Sequence, residues 1–407
     1  MIVGITGNAG KTSTREAVAA VLRPHKKIRV AASSLNNEFG LALTVLGDWD
    51  QEYLFQGPSL GLWWRVFWRG VVGVFSRNDM ADVLILEYGA DHPGDIRRLA
   101  AAVPPHVSVV TTVGETPVHV EFFKDADALA GEKSNLVSVL KESDFAILNN
   151  DDRRVLEMRA KTKARPSTYG FAEGSDIRVS DFEFTSNEEG KPTGAAFKIH
   201  GGNSFVPVII KGSLGKSQAY AAAAAAAVGT ALGLNLVEIG NGLASYQGPK
   251  GRLKILSGIK NSSILDDTYN ASPASTRLAL ETLRDLVGLR KIAVLGDMLE
   301  LGEYSVKAHE EIGELVSACA DILVTVGSKG KLIADAALKN MSAENVYSFD
   351  TSDQAKSKVQ EIIKEYDLVL VKGSQGARME KVVEEIMAQP EKKEELLVRQ
   401  SLRWQKK

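Results

Sequence analysis

The chain has 407 residues, with 49 Lys plus Arg against 51 Asp plus Glu and a formal net charge of −2. Hydrophobic residues make up 44% and charged residues 25%, which excludes disordered and collagen-like classes. The balanced charge, with no long basic run, argues against nucleic acid as a partner, and the length predicts two or three domains, each with its own core.

The N-terminus lacks the cationic and apolar regions of a secretory signal, so a cytoplasmic location is expected. Residues 2–6 read as a buried strand, and a glycine-containing turn leads into a helical pattern from Thr12 to Leu22. Strand-like runs recur at 83–87, 107–111 and 145–149, with helical patterns at 96–102 and 126–140 between them. Short apolar strands alternating with helices predict a mostly parallel sheet covered on its faces. From Ile177 to Lys211 the period changes to two, predicting a small antiparallel addition. An alanine-rich run, 219–228, reads as one buried helix continuing to Leu236. Gly and Pro cluster at 247–251, predicting a domain junction. Strands return at 263–266, 291–295, 322–326 and 368–371, giving a second α/β domain. Its lone Cys319 excludes an intrachain disulfide and fits a reducing compartment. The expected domains are therefore 1–247, with an apolar insertion at about 48–80, then 248–388, and a charged, loosely held tail at 389–407.

Gly7-Asn8-Ala9-Gly10-Lys11-Thr12, followed by Ser13, lies between the first strand and the first helix. Backbone N–H groups there, with the positive helix end, can cradle a polyphosphate. Lys11 would reach the terminal phosphates and the Thr12 hydroxyl a Mg²⁺ ion. The alternative reading is a tight βα turn without ligand. Glu87 ends a buried strand, where an unpaired carboxylate is costly. It reads as a metal ligand beside the phosphate loop, or as a carboxylate satisfied by backbone donors. His119 and Lys133, taken alone, would pass for surface residues. Asp266, Asp267, Tyr269 and Asn270 form a polar cluster where the second sheet opens.

Further motifs join these in order. Asn36-Asn37-Glu38-Phe39-Gly40, Leu86-Glu87-Tyr88-Gly89-Ala90-Asp91-His92-Pro93-Gly94 and Leu148-Asn149-Asn150-Asp151-Asp152 lie in the first half. Gly251-Arg252-Leu253, Asp266-Asp267-Thr268-Tyr269-Asn270-Ala271-Ser272-Pro273, Val294–Gly302 and Val371–Glu380 follow. Together they resemble the Mur ligases, and within them the branch that adds D-alanyl-D-alanine to a UDP-muramyl-tripeptide. The resemblance implies a P-loop central domain and a Rossmann-like C-terminal α/β domain. It also implies ATP-driven amide synthesis in peptidoglycan precursor formation, through an acyl phosphate attacked by an amino acid or dipeptide amine. By the same resemblance, two Mg²⁺ ions would be held, one by Thr12 and Glu87, the other by His119 and a carbamate on Lys133. Arg252, Asp267, Tyr269 and Asn270 would contact ATP.

Three departures are visible. The resemblance starts at the phosphate loop, so the family's N-terminal domain, which grips the UDP-sugar, is expected to be missing. Ser217-Gln218-Ala219-Tyr220-Ala221 stands where relatives carry a His-Asn/Gln-x-x-Asn helix start, and Thr112 where an Asn is usual. Three alternatives share parts of this pattern. Folylpolyglutamate synthesis is disfavoured by the later motifs. An amidating Mur-like subunit, acting with a partner on a lipid-linked precursor, is disfavoured because its usual Cys-rich zinc insert is absent. A non-catalytic scaffold is disfavoured by Lys11, Thr12, Glu87 and His119.

Residues 59–75 hold three of the five tryptophans, with Arg65, Arg69 and Arg77 spaced along one stripe. Seventeen residues span about 26 Å as a helix, and two central arginines argue against a membrane crossing. Packing against this protein or a partner is one expectation; contact with a membrane interface, at the inner face, is the other.

Overall fold

The computed structural model describes residues 1–31, 37–47, 49, 59–75, 81–114, 122–286, 290–401 and 404, the side chains of 72–75 excepted. Two sheets organise these residues. The first contains β1 (Ile2–Thr6), β2 (Ile28–Val30), β3 (Val83–Glu87), β4 (Val107–Val110), β5 (Phe145–Asn149), β6 (Arg165–Gly170), β7 (Ile177–Ser186), β8 (Pro192–Gly201) and β9 (Ser204–Lys211). Their spatial order is β2-β3-β1-β4-β5-β6-β7-β8-β9, parallel as far as β7 and antiparallel beyond. The period-two region is thus no separate sheet: β6 pairs with β7 and makes it continuous with the parallel strands.

The central strands are continuous apolar runs because helices cover both faces. Helix Lys11–Leu22 packs with helix Lys216–Ala231 on one face, and Ala221 to Ala227 are all buried. Small side chains set this close approach. A methyl group at Gly242 would come within 2.7 Å of the Val21 Cα, so alanine does not fit there. The alanine-rich segment is two helices rather than one. Gly233 turns the chain with φ near +87°, and Asn235 caps a new helix, Leu236–Leu243, in a reciprocal capping box with Glu238.

The second sheet holds β10 (Lys254–Ser257), β11 (Ser263–Asp267), β12 (Lys291–Gly296), β13 (Ile322–Val326), β14 (Val346–Phe349) and β15 (Leu368–Lys372). The order is β10-β11-β15-β12-β13-β14, parallel except for β10. The strand ending at Asp266–Asp267 is therefore the second of this sheet; β10 precedes it. One core cluster lies on each face of the sheet.

The tail is not loosely held over 390–401. Short helical turns, Pro390–Lys392 and Lys393–Leu396, lead to a buried Leu397 and to Arg399, whose guanidinium donates to the carbonyls of Thr268 and Tyr269. Glu380 pairs with Arg399 at 2.9 Å and Arg378 at 2.6 Å.

Candidate active site

The phosphate loop is shaped by what glycine permits. Gly7 has φ near +145°, and a side chain there would strike Thr111 Oγ1 at 1.9 Å; Gly10 has φ near +88° and precedes the first helical residue, Lys11. The Thr111 hydroxyl donates to the carbonyls of Thr6 and Ala9, and Asn8 bonds through its backbone and side chain to Thr112 and Val113. Asn8 therefore braces the loop. Lys11 Nζ lies 2.6 Å from the Gly7 carbonyl, and Thr12 and the buried Ser13 follow in the first turn.

Glu87, at the end of β3, is 2% exposed. Arg15, one helical turn after Lys11, approaches one of its oxygens at 3.0 Å as an ion pair. Among the described residues, neither carboxylate oxygen accepts a hydrogen bond. Burial lowers the Lys11 pKa; Glu87 and Asp91 oppose that, while Arg252 adds to it. These charges therefore share one neighbourhood. Lys133, buried on helix Ala126–Ser138, belongs to it too. Burial and then the Lys11 charge push its ammonium down to about 7, with Asp91 and Glu132 acting in the other direction.

The second sheet contributes across the gap. Arg252 stacks over the Tyr269 ring at 4.2 Å, and its Nε is buried without a partner among the described residues. Asp267 is already committed: it accepts from Lys372 Nζ at 2.6 Å and from the Leu253 N–H at 3.2 Å. The Asn270 carbonyl also accepts from Lys372. Asp266 points into the fold, where burial raises its carboxyl to about 6, against the Thr268 donors. Asp267 and Asp266 thus shape the loop that presents Tyr269 and Asn270.

A cavity of about 790 Å³ opens beside the loop at the C-terminal ends of the first sheet's strands. It is lined by Gly10 and Thr112, Asn149 at the end of β5, Tyr220, and Ala274 and Leu278 from the second sheet's first helix. Of the departures noted in sequence, Tyr220 faces this cavity and donates to Asp151 at 2.8 Å. Gln218 does not: it is buried, accepting from the Tyr246 hydroxyl at 2.6 Å and donating to the Arg252 carbonyl at 2.8 Å.

The structure thus brings together Lys11, Glu87, Lys133 and Arg252. His119 lies outside the described residues. Among the described residues, no three His, Cys, Asp or Glu side chains form a cluster suited to a metal. The Glu87 carboxylate, which among the described residues meets Arg15 on one oxygen and no hydrogen-bond donor on either, nevertheless suits a hard cation whose remaining ligands are hydroxyl, phosphate and water oxygens. Arg15, Lys372 and Gln218 were missed in sequence. Nothing in the local pattern distinguishes Arg15 from a surface helix residue, while Lys372 and Gln218 stand inside motifs already noted.

A P-loop on one parallel sheet, facing a cation–aromatic pair on a second, defines a two-sheet α/β protein of the P-loop class. The Mur ligase middle-domain model matches residues 74–229, and the "Mur ligase, glutamate ligase domain" model matches residues 251–375. The chain belongs to the Mur ligase family. It is 28% identical over 393 residues to a UDP-N-acetylmuramoyl-tripeptide–D-alanyl-D-alanine ligase of Bacillus subtilis, covering 96% of this chain and 76% of that protein. MurF from Acinetobacter baumannii superimposes with TM-score 0.74 at 26% identity, covering 94% of this chain and 75% of the other. MurF from Thermotoga maritima, solved with ADP, gives TM-score 0.75 at 25% identity, covering 97% and 81%.

Proposed function

We propose that the chain joins D-alanyl-D-alanine to a UDP-muramyl-tripeptide, as the names of its relatives describe for them, and does so at the expense of ATP. The observation that carries this reading is the buried Glu87 carboxylate, which among the described residues accepts no hydrogen bond and meets only the Arg15 ion pair at 3.0 Å, set beside a glycine-shaped phosphate loop and Lys11. A ligand-binding centre explains such orphaned polar atoms; a closed structural turn does not.

The chemistry activates a poor acyl donor. The γ-phosphoryl group passes to the substrate carboxylate, the dipeptide amine attacks the resulting acyl phosphate, and phosphate leaves. Backbone N–H groups of the 7–13 loop, other than that of Asn8, which is bonded to the Thr112 carbonyl, hold the phosphates, and Lys11 neutralises charge that builds on the transferring group. Arg252, Tyr269 and Asn270 contact ATP from the second sheet, with Asp267 keeping their loop in place. Thr12 and Glu87 would hold one Mg²⁺, and His119 with a carbamate on Lys133 a second; the ions would supply charge neutralisation at the phosphates. Lys133 suits a carbamate because burial brings its ammonium down to about 7, so that about half of the amine is neutral at pH 7. The same proposal places the enzyme in the cytoplasm, at a membrane face reached through residues 59–75.

The test is phosphate release by the purified chain, with product mass measured. Release should require ATP, the UDP-muramyl-tripeptide and D-alanyl-D-alanine together. Lys11→Ala should lower it by about 10²- to 10³-fold while the fold is kept. Release independent of the dipeptide, or an unchanged rate in that variant, overturns the reading.

A further inference from the structure

We infer that the exposed aromatic ridge of helix Leu60–Phe75 docks on an anionic lipid bilayer, with the helix lying in the headgroup plane. Apart from Arg65 and Arg69, the remaining fourteen of the sixteen residues of this helix are apolar or glycine. A helix apolar all round is ordinarily buried all round. Here one side is buried: Leu62 and Val66 pack with Leu43 from helix Glu38–Leu46, flanked by Leu46, Trp49 and Trp63. At 100° per residue, Leu60, Trp64, Phe67 and Trp68 fall on the opposite side. They are 92%, 63%, 58% and 48% exposed.

The ridge is assembled before any partner arrives. Trp64 stacks with Phe67 at 6.3 Å between centroids and meets Trp68 edge-on at 5.8 Å; Phe67 meets Trp68 at 6.1 Å. Phe39, 55% exposed and 5.7 Å from the Trp63 ring, extends the patch. Four of the seven exposed aromatic side chains among the described residues therefore sit on this pair of helices. Scattered surface apolar residues need no explanation, whereas a contiguous cluster marks an interaction surface.

Charge selects the occupant. Arg65 and Arg69 share one flank between the exposed and buried sides, and the helix carries no carboxylate. Arg65 also lies over the Trp49 ring at 5.5 Å, which holds its stem along the flank. Glu38, beside Phe39 in the chain, is bridged by Arg98 at 3.4 Å. Aromatic rings facing outward with arginines alongside match the acyl–headgroup boundary of a bilayer with anionic lipid. The whole chain, at net charge −2, offers no diffuse attraction to such a surface, so the contact is local. Among the described residues no helix is long and apolar enough to cross a membrane, so this one lies on it.

The test uses the full chain with vesicles of phosphatidylcholine and phosphatidylglycerol in equal amounts, and with phosphatidylcholine alone. The protein should float with the anionic vesicles, less so as salt rises, and its tryptophan emission should shift to the blue. Trp64→Ala/Phe67→Ala/Trp68→Ala should weaken flotation about tenfold or more, since each ring contributes buried apolar area. Its melting curve should stay unchanged, because these side chains are exposed. Arg65→Gln/Arg69→Gln should abolish the preference for anionic vesicles. Absence of flotation overturns the proposal, as does equal binding to both vesicle types. Self-association of the wild type without flotation, lost in the triple variant, would assign the ridge to a second copy and overturn it as well.

Discussion

Replacing Glu87 by Gln distinguishes a structural carboxylate from one held ready for a cation. The side chain is 2% exposed and its ion-pair partner Arg15 is 4% exposed, with 3.0 Å between them. Removing one member of a buried pair costs about 3–5 kcal/mol when the other charge is stranded. Arg15 is not stranded, because Glu16 accepts from its Nε at 3.2 Å and from a terminal nitrogen at 2.7 Å. The expected loss therefore drops to the order of 1–2 kcal/mol, the scale of a single charge-assisted contact. The amide also removes a buried charge whose oxygens accept no hydrogen bond, which returns part of that loss. The thermal midpoint should fall by a few degrees at most. Catalysis should respond far more, with phosphate release reduced by about 10²- to 10³-fold. The stabilisation of the wild type by Mg²⁺ with nucleotide should vanish in the variant. Melting curves with and without Mg²⁺, and phosphate release titrated with Mg²⁺, supply both readouts. A variant that unfolds would make the carboxylate structural. One that keeps release within a few-fold of wild type would remove Glu87 from the reaction.

Lys133 yields a pH prediction. With its ammonium brought by burial from an ordinary 10.5 down to about 7, about half the amine is neutral at pH 7, against a very small fraction of an ordinary lysine. Carbamate formation needs that neutral form, so activity should depend on bicarbonate and fall towards tenfold per pH unit below 7. Lys133→Ala should be inactive and partly restored by a small carboxylic acid; an active Lys133→Arg would refute the carbamate. Arg399 holds the carbonyls of Thr268 and Tyr269, and in the proposed function it is a positioning residue for the loop assigned to ATP. Arg399→Ala should raise the KM for ATP more than it lowers kcat, with partial recovery in Arg399→Lys. A change in kcat alone would refute that role.

What the sequence disclosed follows the reach of each interaction. β1, β3, β5, β12, β13 and β15 are short runs, apolar for most of their length, buried on both faces, so composition alone marks them. β2 has three residues, β14 is a half-buried edge strand, and β6 carries Pro166, Ser167 and Thr168; their pairing comes from neighbours remote in the chain. The phosphate loop was legible because its glycines, lysine and threonine are contiguous. Arg15 was not, because its role depends on Glu87, 72 residues later. The docked tail was hidden for the same reason: Arg399 is fixed by Glu380 and by carbonyls near 268, and charge composition predicts only a solvated end.

The two sheets are joined very differently at the two ends of their interface. At one end the backbone is continuous across it. The Leu214 N–H donates to the Leu253 carbonyl and the Ile255 N–H to Gly212, both at 3.0 Å, while Ser213 bridges Lys254. Buried Gln218 fixes the Arg252 carbonyl in the same seam, and a methyl group at Gly248 would strike Ser213 Oγ at 2.2 Å. At the other end, a methyl group at Gly114 would only reach Ala274 at 4.0 Å, an ordinary van der Waals distance. Rotation of one sheet against the other breaks fewest bonds when it pivots on the seam. Such a rotation would move Arg252, which sits in the seam, very little, and would carry Ala274 and Leu278 across the mouth of the cavity. The charges around Lys11 and Glu87 would then keep their arrangement if the cavity opened, because Arg252 is tethered where the sheets are bonded.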